Sequence, residues 1–293
     1  MDAFYLIIII FVFILAIFDL SVGVSNDAVN FLNSAVGSKA ASLRTVLIIA
    51  AIGVFVGASL SNGMMEIARH GIFKPEGFVF SDIICILLTA MITDVFLLDM
   101  FNTMGLPTST TVSLVFELLG ATVAISMISI INDTTGLLTY NALINTEKAL
   151  SVILGIFLSV GIAFLFGALI QFITRIVFTF NYKKNLKYFG AVFGGIAITC
   201  IIYFMLIKGL KESSFMTKEV MAYIMNNTGK ILLACFAVST VLMQILYFFK
   251  VNILKIIVLT GTFSLACAFA GNDLVNFIGV PLAALSAFTD YKA

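Results

Sequence analysis

Apolar runs of about twenty residues recur from end to end of this 293-residue chain, and that recurrence constrains its fold more than any other feature. Inside a bilayer every backbone N–H and C=O has to be satisfied within the segment itself, so a run of this length reads as a spanning helix. Such runs cover residues 4–23, 45–61, 82–103, 109–131, 149–173, 189–209, 230–249 and 253–270, with a last apolar segment over 274–288. The connections between them are short. The predicted architecture is therefore an all-α integral membrane protein with about eight spanning helices and no soluble domain. Composition agrees: 61% of residues are apolar, 11% are charged, and the mean hydropathy is +1.17, well outside the range of soluble domains.

Several function classes fall away at once. The net charge is +1 and the basic residues are dispersed, so nothing favours a nucleic acid as partner. The four cysteines (Cys85, Cys200, Cys235, Cys267) stand alone inside apolar runs, which argues against a disulfide framework or a zinc site. The single histidine, His70, lies among Glu66, Arg69 and Lys74 in a polar connection and reads as a surface residue. Residues 1–18 have Asp2 where a signal peptide carries positive charge, and they read as a retained first helix. Arg175, Lys183, Lys184 and Lys187 in or beside the connection "NYKKNLKY" (181–188) place that segment on the cytoplasmic side, with Tyr182 and Tyr188 as interfacial aromatics.

Polar side chains at membrane depth are costly, so each one is a candidate for function. They are few: Asp19, Asn26, Asp27, Asn30 and Asn33 in the first region, Asp94, Asp99 and Asn102 in the third helix, Glu117 in the fourth, and Asn272, Asp273 and Asn276 near the end. Two groups of these form a repeat. "NDAVNF" (26–31) and "NDLVNF" (272–277) share the pattern Asn-Asp-x-Val-Asn-Phe, and each follows a long apolar run. Matched, interrupted apolar segments in two halves of a chain mark secondary transporters whose site lies where the repeats meet. On a helix Asn26 and Asn30 share a face with Asp27 close by, and the same holds for Asn272, Asp273 and Asn276. Gly23, Gly37, Gly271, Gly279 and Pro281 would let the helix unwind there, adding carbonyls to an oxygen-rich pocket suited to a small hard cation.

A second feature is "GLPTSTT" (105–111). Pro107 suits the first position of a helix, and Thr108, Ser109, Thr110 and Thr111 bring four hydroxyls to a positive dipole end. Backbone N–H groups and hydroxyls together make an anion cradle without Arg or Lys. Continuing that helix, Thr110, Ser113 and Glu117 fall on one stripe. Single Ser and Thr residues in membrane helices usually pack and bond back to the i−4 carbonyl, but four in a row behind a proline do not fit that habit. For Asp94 and Asp99 the plainer reading is a helix-end or interhelical bond. Glu117 is open between an interhelical bond and a proton or cation site, and Asp19 reads as an anchor, although it lies only about 20° from Asn30 around the helix.

On these residues the chain resembles the inorganic phosphate transporter (PiT) family, which is related to the sodium-dependent phosphate symporters. "VSNDAVNFLNSAVGSKA" (24–40) and "AGNDLVNFIGVPLAAL" (270–285) are similar to the family's two signatures, and "LPTSTT" (106–111) to its Pro-x-Ser-Thr-Thr-His segment. The resemblance implies a polytopic helical transporter with inverted repeats and helices interrupted at the signatures. Residues 1–173 would be the first repeat, and 174–293 connecting helices and the start of a second, incomplete one. It implies phosphate at Asn26, Asp27, Thr108, Ser109, Thr110, Thr111, Asn272 and Asp273. Cations fall to Asp27, Asn30, Asp273, Asn276 and Glu117, with sodium at Asn26, Asp27, Asn30, Asn272, Asp273 and Asn276. The expected partners are inorganic phosphate, Na⁺ or H⁺ as coupling ion and membrane lipid, with a homodimer as the expected assembly, a multi-pass location in the cell membrane and no other cofactor. Departures are clear: Val24 and Ala270 replace the leading glycines, Val112 stands for the motif's His, and Val54 for a Glu in many relatives. A second Pro-x-Ser-Thr-Thr segment is expected beyond Ala293.

Other readings remain. Hydroxyls and N–H groups recognise any tetrahedral oxyanion, so sulfate is an alternative cargo. Paired carboxylates, Asp94 or Asp99 with Asp27 or Asp273, would suit an intramembrane aspartyl hydrolase, but that reading leaves the duplicated asparagines unexplained. A transporter, not an enzyme, is the expectation.

Overall fold

The computed structural model describes residues 2–60, 72–133, 138–179, 182–205 and 217–292, and it is helical almost throughout, with no strand among these residues. The main helices are α1 (Asp2–Gly37), α2 (Leu43–Leu60), α3 (Phe80–Thr103), α4 (Thr110–Asn132), α5 (Thr146–Phe178), α6 (Tyr182–Phe204), α7 (Lys218–Phe248), α8 (Ile253–Asn272) and α9 (Leu274–Lys292). A 3₁₀ turn at Pro75–Gly77 and a single helical turn at Tyr140–Leu143 lie between α2 and α5. Seven helices are long and apolar enough to cross a membrane, and Leu43–Ser59 is a shorter apolar helix. The chain is a multi-pass membrane protein. His70, with Glu66 and Arg69, lies outside the described residues.

The helices outrun their apolar stretches. α1 has 36 residues, about 54 Å at 1.5 Å per residue, against a hydrocarbon core of about 30 Å. Residues 182–188, expected as a loop, are the first turns of α6, and residues 218–229 open α7 in the same way. Lysine and leucine are good helix formers, and a helix entering water keeps its own hydrogen bonds. Asn185 Nδ2 donates to the Val177 carbonyl at 2.8 Å across the turn from α5, and Thr217 caps α7 by accepting from the Val220 N–H.

The expectation of interrupted helices is met at one signature. α8 ends at Asn272, Asp273 is a turn residue and α9 begins at Leu274. The first signature runs unbroken inside α1. Gly23, read as a point of unwinding, serves close packing instead: a Cβ there would collide with the Phe277 ring.

The chain forms two compact units that interleave along the sequence. The first contains Met1–Val29, Gly63–Leu158 and Asn272–Ala293. Its core joins Ile9, Val12 and Ala16 of α1 to Ile84, Leu87 and Met91 of α3, Leu114 and Leu118 of α4, and Val280, Ala284 and Phe288 of α9. Residues 72–74 pair with 143–145 beside it, Lys74 N–H donating to the Leu143 carbonyl and Asn145 N–H to that of Ile72. The second unit contains Asn30–Asn62 and Ser159–Gly271. Within it α6 packs along α7, and Gly53 and Gly57 let α2 approach the backbone of Phe263 and Cys267 in α8, a small-xxx-small contact. All four cysteines are free thiols.

Candidate anion and carboxylate site

The site grows out of the packing stripe of α1. Ile9, Val12, Ala16, Asp19, Gly23, Asn26 and Asp27 are all buried, at the three- and four-residue spacing of one helix face. The face that begins as apolar core ends as amide and carboxyl, so core packing aims the polar groups inward. In α3 the stripe Ile84, Leu87, Met91, Asp94, Leu98 does the same for Asp94.

The hydroxyl segment is presented by the turn between α3 and α4. Leu106 N–H donates to the Phe101 carbonyl and Gly105 N–H to that of Asn102, with Gly105 at φ +69°, the left-handed position of a Schellman ending. Leu106, Pro107 and Thr108 then run outside any helix, and Ser109 caps α4, its Oγ accepting from the Val112 N–H at 3.4 Å. Pro107 therefore precedes the cap and does not occupy the first helical position.

Both signatures meet this helix start. Asn26 clamps the turn: its Nδ2 donates to the Leu106 carbonyl at 3.1 Å and its Oδ1 accepts from the Thr108 N–H at 2.9 Å. Thr110 Oγ1 donates to Asp27 Oδ2 at 3.2 Å, and Thr111 Oγ1 to Asp273 Oδ1 at 3.2 Å. Consecutive hydroxyls thus reach the aspartates of the two copies. The Thr108 N–H, counted as an anion donor in the cradle, is committed to Asn26. Asn30 is exposed one turn further along α1 and belongs to the second unit. The side chains of Asn272 and Asn276 lie outside the described residues.

Deeper in the first unit a second polar group forms. Ser113 Oγ lies 2.7 Å from Asp94 Oδ1 and 2.8 Å from Glu117 Oε1. Asp19, fully buried, faces Asp94 and Glu117. The expected stripe of Thr110, Ser113 and Glu117 is thus present with a partner for each, and Asp94 makes the interhelical bond of the plainer reading. Asp99 is exposed. Asp19 was read as an anchor, yet its three-residue step from Ala16 and four-residue step to Gly23 put it on the core stripe. A cleft of about 590 Å³ along α3 and α4 is lined by Thr93, Thr108, Ser113, Glu117 and Ala124 among others.

Comparison with known proteins gives consistent results. The sequence model of the phosphate transporter family matches residues 23–293, which include both signatures. A protein named "Putative phosphate permease" from Helicobacter pylori (strain J99 / ATCC 700824) is 28% identical over 283 residues, 89% of this chain and 48% of that relative. A permease of the same description from Mycobacterium bovis (strain ATCC BAA-935 / AF2122/97) is 33% identical over 107 residues, 36% of this chain and 19% of the relative. The chain spans about half the length of the Helicobacter protein. A solved structure titled "The sodium-dependent phosphate transporter" superposes with a TM-score of 0.67 at 21% identity, covering 95% of this chain and 67% of the other, and shows the shared fold.

Proposed function

Because this chain belongs to the phosphate transporter family, we propose that it works in a secondary transporter carrying inorganic phosphate across the cell membrane together with Na⁺ or H⁺. The observation that carries this reading is the pairing of Thr110 with Asp27 and of Thr111 with Asp273 at the N-terminus of α4. A helix start rich in hydroxyls favours an oxyanion. The two aspartates oppose one, since unit charges about 4 Å apart interact by about 4 kcal/mol even at an effective dielectric constant near 20. Something positive has to join them.

The hydroxyls link the two ions. Each has one proton to donate and two lone pairs to offer. While Thr110 and Thr111 donate to carboxylates, their protons are not available to an anion. A cation that takes up Asp27 or Asp273 satisfies the carboxylate and accepts a lone pair from the neighbouring hydroxyl, whose proton can then turn to phosphate. Cation binding therefore prepares anion binding, which is the requirement for symport. In this scheme phosphate is held by Thr108, Ser109, Thr110 and Thr111, with Asn26 positioning the turn, and Asn272 and Asp273 complete the site. The cations fall to Asp27, Asp273 and Asn276, with Glu117 taking a proton, and rocking of the repeats alternates access. The protein carries out no bond chemistry in this account.

The test is Asp27→Asn in the full chain, reconstituted in lipid vesicles. Labelled phosphate uptake should lose its dependence on the cation gradient while membrane insertion is unchanged. Ordinary cation coupling in that variant would sink the scheme, and competition by sulfate as strong as by phosphate would move the assignment to a general oxyanion carrier.

A further inference from the structure

We propose that Asp19, Asp94, Ser113 and Glu117 form a proton-holding chain within the first compact unit, distinct from the two Asn-Asp signatures. The number of hydrogens available requires it. Ser113 Oγ contacts carboxyl oxygens of Asp94 and Glu117 at 2.7 and 2.8 Å, yet a hydroxyl has a single hydrogen and can donate to only one of them. The other carboxyl has to supply its own proton and donate to the serine oxygen. Both contacts at hydrogen-bond length thus require a carboxylic acid at one end.

Asp19 extends the chain. It is 0% exposed, no N–H or O–H donor meets either of its oxygens, and the carboxyl of Asp94 lies within hydrogen-bonding reach of it, with that of Glu117 close by. Glu117 Oε2 is likewise buried without such a donor and has Asp94 as its neighbour. Carboxylates that meet in apolar surroundings with only one another for company need a positive charge between them. A proton meets that need here, because the two contacts of Ser113 Oγ already require one carboxyl to carry its own hydrogen. The groups facing the chain come from three helices: Asp19 and, further along, Asp27 from α1, Asp94 from α3, and Ser113 and Glu117 from α4.

The order of the contacts gives a route. Glu117 and Ser113 line the 590 Å³ cleft, and Asp19 is the buried end. A proton reaching Glu117 passes to Ser113 Oγ as the serine gives its own proton to Asp94, which passes one on to Asp19. Each hop breaks one O–H bond and forms another, so one proton moves and no electrons do. The existence of the chain does not depend on the transport reading; only its use as a coupling site rests on that reading.

Infrared difference spectroscopy on the full chain in lipid, at neutral pH and without Na⁺, tests it. The expected result is a carbonyl-stretch band of protonated carboxyl, shifted by H/D exchange and reduced in Glu117→Gln or Asp19→Asn. Three outcomes would overturn it: no such band in the unsubstituted protein, a band unchanged by both substitutions, or a band abolished by Na⁺. A protein that proved unable to carry phosphate would defeat the transport reading, while this spectrum would still decide the proton chain.

Discussion

Thr110 and Thr111 are neighbours in sequence and serve different masters, one hydroxyl going to each signature's aspartate. Hydrogen bonds to charged groups contribute about 1.5–3 kcal/mol. Removing either hydroxyl should therefore weaken phosphate binding by about tenfold to a hundredfold on that energy scale. Equilibrium binding of labelled phosphate to Thr110→Val and Thr111→Val checks this, and the serine variants should retain most of the affinity. Asn26 presents a different case, because both ends of its amide are spent on residues 106 and 108. Asn26→Ala should lower stability by about 1 kcal/mol, seen as a lower unfolding temperature in detergent, since it unpairs a part-buried carbonyl and N–H. The two signatures were legible from their Asn and Asp residues, as was the stripe of Thr110, Ser113 and Glu117. The clamp was not, because its partners are main-chain groups of Leu106 and Thr108, and a sequence does not mark which carbonyl an amide will meet. Asp19 was within reach of sequence reasoning, through its spacing from Ala16 and Gly23.

At the scale of the element, α1 carries the site because it does not break. Gly23 removes the side chain that would strike Phe277, so the helix passes the ring and delivers Asn26 and Asp27 one turn later. Gly23→Leu should destabilise the protein by about 1–3 kcal/mol, the usual cost of overpacking, or displace Phe277. Thermal unfolding measures the first outcome, and loss of phosphate binding the second. Apolar runs located the helix centres well, since burial in lipid is what they encode. Helix ends were harder: polar residues such as Lys184, Lys187, Glu219 and Asn226 continue α6 and α7 where hydropathy had stopped. Helix propensity is indifferent to the membrane boundary. The same ambiguity hid the continuity of α1, for glycines that permit unwinding also permit close contact, and only Phe277 decides between them.

At the scale of the whole molecule, residues more than 240 positions apart in sequence, Asp27 and Asp273, are joined through two adjacent threonines. The repeat of Asn-Asp-x-Val-Asn-Phe pointed to one shared region, and Asp27 and Asp273 do meet adjacent hydroxyls, but the interleaving of the compact units was not legible, because it depends on which faces of long helices pack together. The central claim is that a cation on the signature aspartates is the condition for moving phosphate. It is tested most directly by uptake of labelled phosphate into vesicles containing the full chain, with Na⁺ and pH gradients imposed separately. The account predicts that at least one gradient drives accumulation and that Asp27→Asn abolishes the response. Uptake indifferent to both gradients, or driven normally in Asp27→Asn, would contradict it.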